Sequence, residues 1–286
     1  MSRKKKKEIY FIAEIGQNHQ GNLAIAKEMV DVFSNFDISA IKTAKRDIDQ
    51  CLTEEQKNMP YLNPNSFGET YYEHRKALEL KKDEFIKLKK YVEDKGLEFF
   101  SSFTDLNSLD FLVEIGVNRL KIASQRTTDR KLLEAAAETN LPVVISTGMC
   151  DMEDVVSAVG FFPDREKWLL QCTSCYPNHE SNVNLKVIDL FRDTFGKDVD
   201  RYGISGHHVG LIPDILAACC FDAGVIERHV TLSRAMKGSD HAASLEPGGV
   251  ERVLRYIEQG MMSVGSREKE VFPCEYPSIK KLRGDG

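Results

Sequence analysis

The chain has 286 residues, 42% of them hydrophobic and 29% charged, with a formal net charge of −5. That is enough chain for one large domain with a substantial core, and the acidic balance excludes the global basic field of a general nucleic-acid binder. Nothing approaches the roughly eighteen consecutive apolar residues of a membrane span, so neither nucleic acid nor a membrane is an expected partner.

Arg3–Lys7 is the one basic run. It reads as a solvated tail over residues 1–7 that leads straight into a short strand, not as a signal peptide. From there short apolar runs alternate with helical patterns. Strands are expected at 8–14, 38–43, 97–102, 117–123, 142–146, 167–172, 201–205 and 224–229. Helices are expected near 22–35, 82–95, 105–115, 128–139, 151–161, 185–196, 211–222 and 248–262, with Asp83 and Asp151 as N-caps or first-turn acids. Runs rich in Ile, Val and Phe at this length suit strands buried on both faces. Eight strands, each followed by a helix, predict an α/β fold: a (β/α)8 TIM barrel, one domain over residues 8–265. Segment 46–81 exceeds an ordinary connection and is expected to be a functional loop over the barrel mouth. Residues 266–286 are expected to be a C-terminal tail. The seven cysteines form no regular framework, which implies free thiols in a reducing cytoplasm. Cys172 and Cys175 have C-x-x-C spacing but no second pair, and read as a strand-end coincidence.

In such barrels the chemistry gathers at the carboxyl ends of the strands. The count places Glu14, Lys42, Ser101 and Ser102, Lys121 and Ser124, Ser146 and Thr147, Thr173 and Tyr176, Ser205 and His207, and His229 there. A lysine in an apolar strand needs an anion. For Lys42 and Lys121 that anion is a ligand phosphate or carboxylate in the preferred reading; a structural carboxylate and a Schiff-base role are the alternatives. His207, His229 and Asp240 are expected to converge on one divalent metal, with Glu227 a weaker candidate. Mixed nitrogen and oxygen ligands suit Mn, Fe, Co or Zn. His208 would point elsewhere, His179 and His241 are weaker candidates, and His19 either orients the mouth or caps the next helix. Gly16 to Gly21 is not a dinucleotide fingerprint.

Several motifs in order carry a resemblance: Ala13-Glu-Ile-Gly-Gln-Asn-His-Gln-Gly21, Lys121-Ile-Ala-Ser124, Ser146-Thr-Gly-Met149, Cys172-Thr-Ser-Cys-Tyr-Pro177, Gly203-Ile-Ser-Gly-His207 and Glu227-Arg-His-Val-Thr231. Together they resemble the catalytic barrel of the N-acetylneuraminate (sialic acid) synthase family, over roughly residues 8–280. The resemblance implies condensation of phosphoenolpyruvate with an open-chain, N-acylated, mannosamine-like hexose, with release of phosphate. It implies Lys42, Ser102, Lys121, Ser124, Ser146 and Ser205 around phosphoenolpyruvate. It implies His207 and His229 on a metal, manganese first, with magnesium or cobalt as alternatives. Glu14, Ser174, Tyr176 and Asp240 would face the sugar and the reacting centre, and His207 would serve the chemistry as well as the metal.

The chain departs from the family pattern in places. Lys42-Thr-Ala44 stands where Lys-x-Gln is usual, Ser174 where the family has an asparagine ahead of the tyrosine, and Gln125-Arg126 where Gly-x-Glu is usual. Arg126 would read an acidic group on the substrate or pair with a nearby carboxylate. Family members carry a C-terminal antifreeze-like domain over the partner's site; here a separate chain is expected to supply that lid if one is needed, and a homodimer is expected less firmly. Two other readings stand beside this one. The first is a 3-deoxy-octulosonate or heptulosonate-type synthase, whose phosphosugar would need a second anion site, with Lys45, Arg46 and Arg126 the residues to test. The second is a non-catalytic barrel that binds a sugar acid or serves as a subunit.

Overall fold

The apolar runs pair in chain order. The computed structural model describes residues 9–266 and 268–284, so the basic run Arg3–Lys7 lies outside the described residues. Strands β1 (Tyr10–Gly16), β2 (Ala40–Lys45), β3 (Glu98–Phe103), β4 (Leu120–Ile122), β5 (Val143–Ser146), β6 (Lys167–Cys172), β7 (Arg201–Gly206) and β8 (Val225–His229) form a closed barrel of parallel neighbours in which β8 pairs with β1. All eight fall on the expected runs.

Helix α1 (Leu23–Phe33) follows β1. Its buried side chains, Ala26, Met29, Val30 and Phe33, recur at helical spacing and face the sheet. The segment between β2 and β3 holds three short helices, α2 (Ile48–Cys51), α3 (Glu54–Asn58) and α4 (Tyr71–Ala77), before α5 (Lys82–Glu93). The outer layer continues with α6 (Leu106–Glu114), α7 (Arg130–Glu138), α8 (Met152–Gly160), α9 (Lys186–Phe195), α10 (Ile212–Cys220) and α11 (Pro247–Val264). Asp151 caps α8 and Asp83 lies in the first turn of α5, as expected. Asn22, not His19, caps α1. Beyond Val264 the chain is not an irregular tail throughout: α12 (Tyr276–Arg283) forms there, with no buried side chain.

The two-residue period of the strands sorts their side chains into two cores. Phe11, Ala13, Ile15, Ile41, Phe99, Leu120, Ile122, Leu169 and Ile204 point outward and pack under the helices. Ile12, Ala40, Phe100, Val144, Trp168, Leu170 and Val225 point inward and plug the barrel. Each such fully buried Leu, Ile, Val or Phe contributes about 1.5–3 kcal/mol. Above the plug the next inward residues are polar: Glu14, Lys42, Ser102, Lys121, Ser146, Ser205 and Glu227. The plug is therefore the floor of the site.

One polar cluster lies outside the barrel interior. Arg228 of β8, His208 after β7 and Asp214 of α10 are each fully buried. Arg228 donates to the Asp214 carboxylate and the His208 carbonyl, and its Nη1 lies 2.9 Å from His208 Nε2. This clamp fixes the two chain positions that flank His207 and His229, and it confirms that His208 serves the fold.

Candidate active site

Strand register brings the polar layer together. Glu14 lies opposite Lys42 across β1 and β2, and opposite His229 across β1 and β8. Ser102 lies opposite Lys121, and Ser205 opposite Glu227. All of these line one cavity of about 330 Å³, with Ser124, Ser146, Ser174, Tyr176, His207 and Asp240. The residues that the family resemblance implies for substrate and metal thus reach a single cavity, whereas Ser101, Thr147 and Thr173 do not line it.

Both lysines are neutralised by protein carboxylates, the less favoured of the two main expectations. Lys121 Nζ lies 2.9 Å from Glu227 Oε2, and Lys42 pairs with Glu14 and lies 3.7 Å from Glu227 Oε1. Ser205 Oγ donates to Glu227 Oε1 at 3.0 Å. Glu227 therefore accepts from Lys121 and Ser205 and also faces the Lys42 charge. Burial alone would raise its pKa, but Lys121 and Lys42 outweigh that and hold it down to about 2. Glu14 moves the other way: burial pushes its carboxyl up against the pull of Lys42, and Glu227 adds to the rise. Burial, together with the Lys42 charge, pushes Lys121 down despite Glu227.

The serines present donors on the β4–β6 side. Gly148 N–H donates to Ser124 Oγ at 3.0 Å. A Cβ at Gly148 would meet Ser174 Oγ at 2.2 Å and Ser124 Oγ at 2.9 Å, so only glycine lets both hydroxyls stand there. Ser146 Oγ is buried without a hydrogen-bond partner. A hydroxyl in that state can bond a ligand or a water in the cavity it lines.

The His207 and His229 rings lie tilted with centroids 5.4 Å apart, and the Tyr176 ring lies tilted 4.0 Å from His207. His207 Nδ1 lies 3.1 Å from the Thr173 carbonyl, which takes its N–H and leaves the Nε2 lone pair for a ligand. Burial holds His229 neutral, down to about 3, although Asp240 pulls the other way, and its buried Nδ1 has no partner. At His207 burial is outweighed by Cys172 and the Thr173 carbonyl, which raise its pKa, so a divalent metal would displace a proton there, while His229 is already open to it. The expected third ligand does not join them: among the described residues no three His, Cys, Asp or Glu side chains form a metal-ligating group. Asp240 lines the same cavity but sits on the loop after β8, where it takes a hydrogen bond from Ser239 Oγ at 2.7 Å.

Some groups were not read from the sequence. Arg75 of α4 lines the cavity with Arg46 and Gln17; the unusual length of segment 46–81 was the only sign. Cys172 also lines it, 3.8 Å from His207 Nδ1. Of the three residues to test for a second anion site, Arg46 lines the cavity, whereas Arg126 pairs with Asp129 at 3.3 Å and Lys45 with Glu79 at 3.2 Å. Neither lines the cavity.

His19 is buried, with its Nδ1 accepting from Gly21 N at 3.1 Å. Burial, helped by Arg46, lowers its pKa to about 4. The unfolded chain then binds the extra proton between pH ~6.5 and ~4, so stability is full above that window and is lost as pH falls through it. The loss reaches about 3 kcal/mol. Urea unfolding across pH 7 to 4 is expected to show this slope for the wild type and a shallower one for His19→Gln; equal slopes would refute the assignment.

The NeuB family model matches residues 29–269. The chain is 36% identical to human N-acetylneuraminate-9-phosphate synthase, over 96% of this chain and 76% of that protein. It is 35% identical to the N,N'-diacetyllegionaminic acid synthase of Legionella pneumophila, over 94% and 76%. The crystal structure of N-acetylneuraminic acid synthetase from Leptospira borgpetersenii, in complex with citrate, superposes with a TM-score of 0.82 at 30% identity, covering 97% of this chain and 93% of that one.

Proposed function

The chain belongs to the NeuB family, and we propose that this cavity condenses phosphoenolpyruvate with an open-chain, N-acylated hexose to give a nonulosonic acid and inorganic phosphate. The protein is a synthase of the sialic-acid type, on a TIM barrel. The observation that carries the assignment of roles is the layer itself: two buried lysines, an unpartnered Ser146 hydroxyl and two imidazoles around one cavity.

Phosphoenolpyruvate carries a phosphate and a carboxylate. Lys121 spends one N–H on Glu227 and keeps two for an anion. Lys42, held by Glu14, lies beside it, and Ser102, Ser124, Ser146, Ser174 and Ser205 supply hydroxyls. These groups orient the substrate and offset its charge. Carbon 3 attacks the sugar aldehyde and forms the new C–C bond, leaving carbon 2 cationic; water adds there and gives one proton to the Glu14 carboxylate; the C2–O bond breaks as the new hydroxyl proton passes to the departing phosphate and carbon 2 becomes the keto carbon. Glu14, whose carboxyl burial pushes up, delivers a proton to the aldehyde oxygen as the bond forms. Asp240 and Tyr176 orient the sugar. His207 and His229 would hold the metal, manganese first with magnesium or cobalt as alternatives, and when bound it supplies Lewis-acid polarisation of the aldehyde. A homodimer, a lid from an antifreeze-like unit and a cytoplasmic location, where phosphoenolpyruvate is available, go with this reading; among the described residues no helix is long and apolar enough to cross a membrane.

Phosphate release from phosphoenolpyruvate with manganese tests it, across N-acetylmannosamine, its 6-phosphate, diacetamido-trideoxyhexoses, arabinose 5-phosphate and erythrose 4-phosphate. Release with an N-acylated hexose is the expected result. Release only with the pentose or tetrose phosphate would move the chain to the octulosonate or heptulosonate reaction.

A further inference from the structure

We infer that Arg46 and Arg75 form a second anion subsite, which takes a phosphate carried by the acceptor sugar at a position away from its aldehyde carbon; the inference rests on the condensation reading above. Both side chains line the cavity. Arg46 follows β2 and Arg75 stands on α4, so they flank the β1–β2 arc of the mouth. Ser124, Ser146 and Ser174 follow β4, β5 and β6, which the strand order places across the barrel. The two anion-binding walls are therefore separate. Phosphoenolpyruvate, held by the lysines and the serine wall, leaves the arginine wall to its co-substrate.

The arginines are only partly spent on the protein. Arg46 gives Nη1 to Glu79 Oε1 at 2.9 Å, and its buried Nε has no partner. Glu79 is shared, since its Oε2 also takes Lys45 Nζ at 3.2 Å and the Arg46 backbone N–H at 3.3 Å. Arg75 gives Nη1 to a neutral amide oxygen, Gln17 Oε1, at 3.0 Å. Three cations thus gather around one carboxylate, with Asp240 as the other acid on this wall of the cavity. Burial and the neighbouring Arg46 charge push the Arg75 pKa down and outweigh the opposing pull of Glu79 and Asp240, so the pair of guanidinium groups is not fully balanced by these acids. Each guanidinium has five N–H donors in planar forks that match phosphate oxygens. Ala44, inward-facing between Lys42 and Arg46 and also lining the cavity, leaves the path to this wall open where a longer side chain would cross it.

The test compares N-acetylmannosamine 6-phosphate with N-acetylmannosamine in wild type, Arg75→Ala, Arg75→Lys and Arg46→Ala. The wild type is expected to favour the phosphorylated sugar by about 10–100-fold in kcat/KM. Arg75→Ala should lose about tenfold of that preference through KM for the sugar phosphate, the KM for phosphoenolpyruvate should move far less, and Arg75→Lys should recover part of it. If Arg46→Ala fails to fold because Glu79 loses a partner, Arg75→Ala carries the test, its partner being neutral. A wild type that does not prefer the phosphorylated sugar would overturn the inference, as would an Arg75→Ala variant that weakens both sugars equally. Calorimetric titration of the sugar phosphate into protein saturated with phosphoenolpyruvate decides the case even without turnover: binding that Arg75→Ala weakens supports the subsite, and no binding overturns it. Failure to bind phosphoenolpyruvate would instead count against the condensation reading.

Discussion

Replacing Lys121 with methionine is expected to lower kcat/KM for phosphoenolpyruvate by about 10²–10³ while the barrel stays folded. The side chain is 2% exposed and ends in the cavity, where Glu227 takes one of its three N–H donors. Methionine keeps the length and the packing and removes only the charge and the donors. Glu227 would still face Lys42 and Ser205, so its carboxylate is not stranded. The reaction, in contrast, loses a cation that binds the reacting anion and offsets charge as phosphate departs. Steady-state kinetics with phosphoenolpyruvate varied, beside circular dichroism, would check this. An unchanged rate and KM would remove Lys121 from the site.

Asp214→Ala is expected to cost about 3–5 kcal/mol of unfolding free energy, the typical penalty for leaving a buried charge without its partner. Arg228 would be that charge: it is fully buried, and Asp214 is its ion-pair partner. Removing both charges, as in Asp214→Ala with Arg228→Met, should recover much of the loss, because an apolar pair of fitting volume does not carry the desolvation cost. Denaturant melts of the two single variants and the double variant measure the coupling. Additive losses would show that the clamp is not one unit. The clamp also flanks His207 and His229, so the single variants should weaken metal binding, readable by manganese titration.

The barrel was legible because its rule is local. Runs such as Val143-Val-Ile145 and Leu169-Leu170 are apolar on both faces, and only a strand covered on each side tolerates that. Glu14, Lys42, Lys121, His207 and His229 were legible for the same reason, as polar residues at the ends of such runs. What those residues touch was not legible. Lys121 on β4 meets Glu227 on β8 across the barrel, and Lys42 meets Glu14 through the register of β2 on β1. Asp240 was expected among the metal ligands, following His229 by eleven residues, but it does not complete a three-donor set with the two histidines. Arg75 arrives on a helix within a long connection whose course follows from tertiary packing alone, and no spacing rule places it. Arg126, an attractive charge in the sequence, is taken by Asp129 three residues on.

The closing seam of the barrel has a consequence for biosynthesis. Glu14 lies in register with His229 because the first strand made is paired with the last. Until β8 has left the ribosome, β1 and β7 each present an unpaired edge, and the lysine pair lacks Glu227. Non-local closure of this kind is slow and leaves the nascent chain prone to self-association. Activity should therefore appear as a single late event in synthesis, with no partial competence in shorter chains. A substitution that delays docking of β8 would reduce the yield of folded enzyme before it altered any kinetic constant.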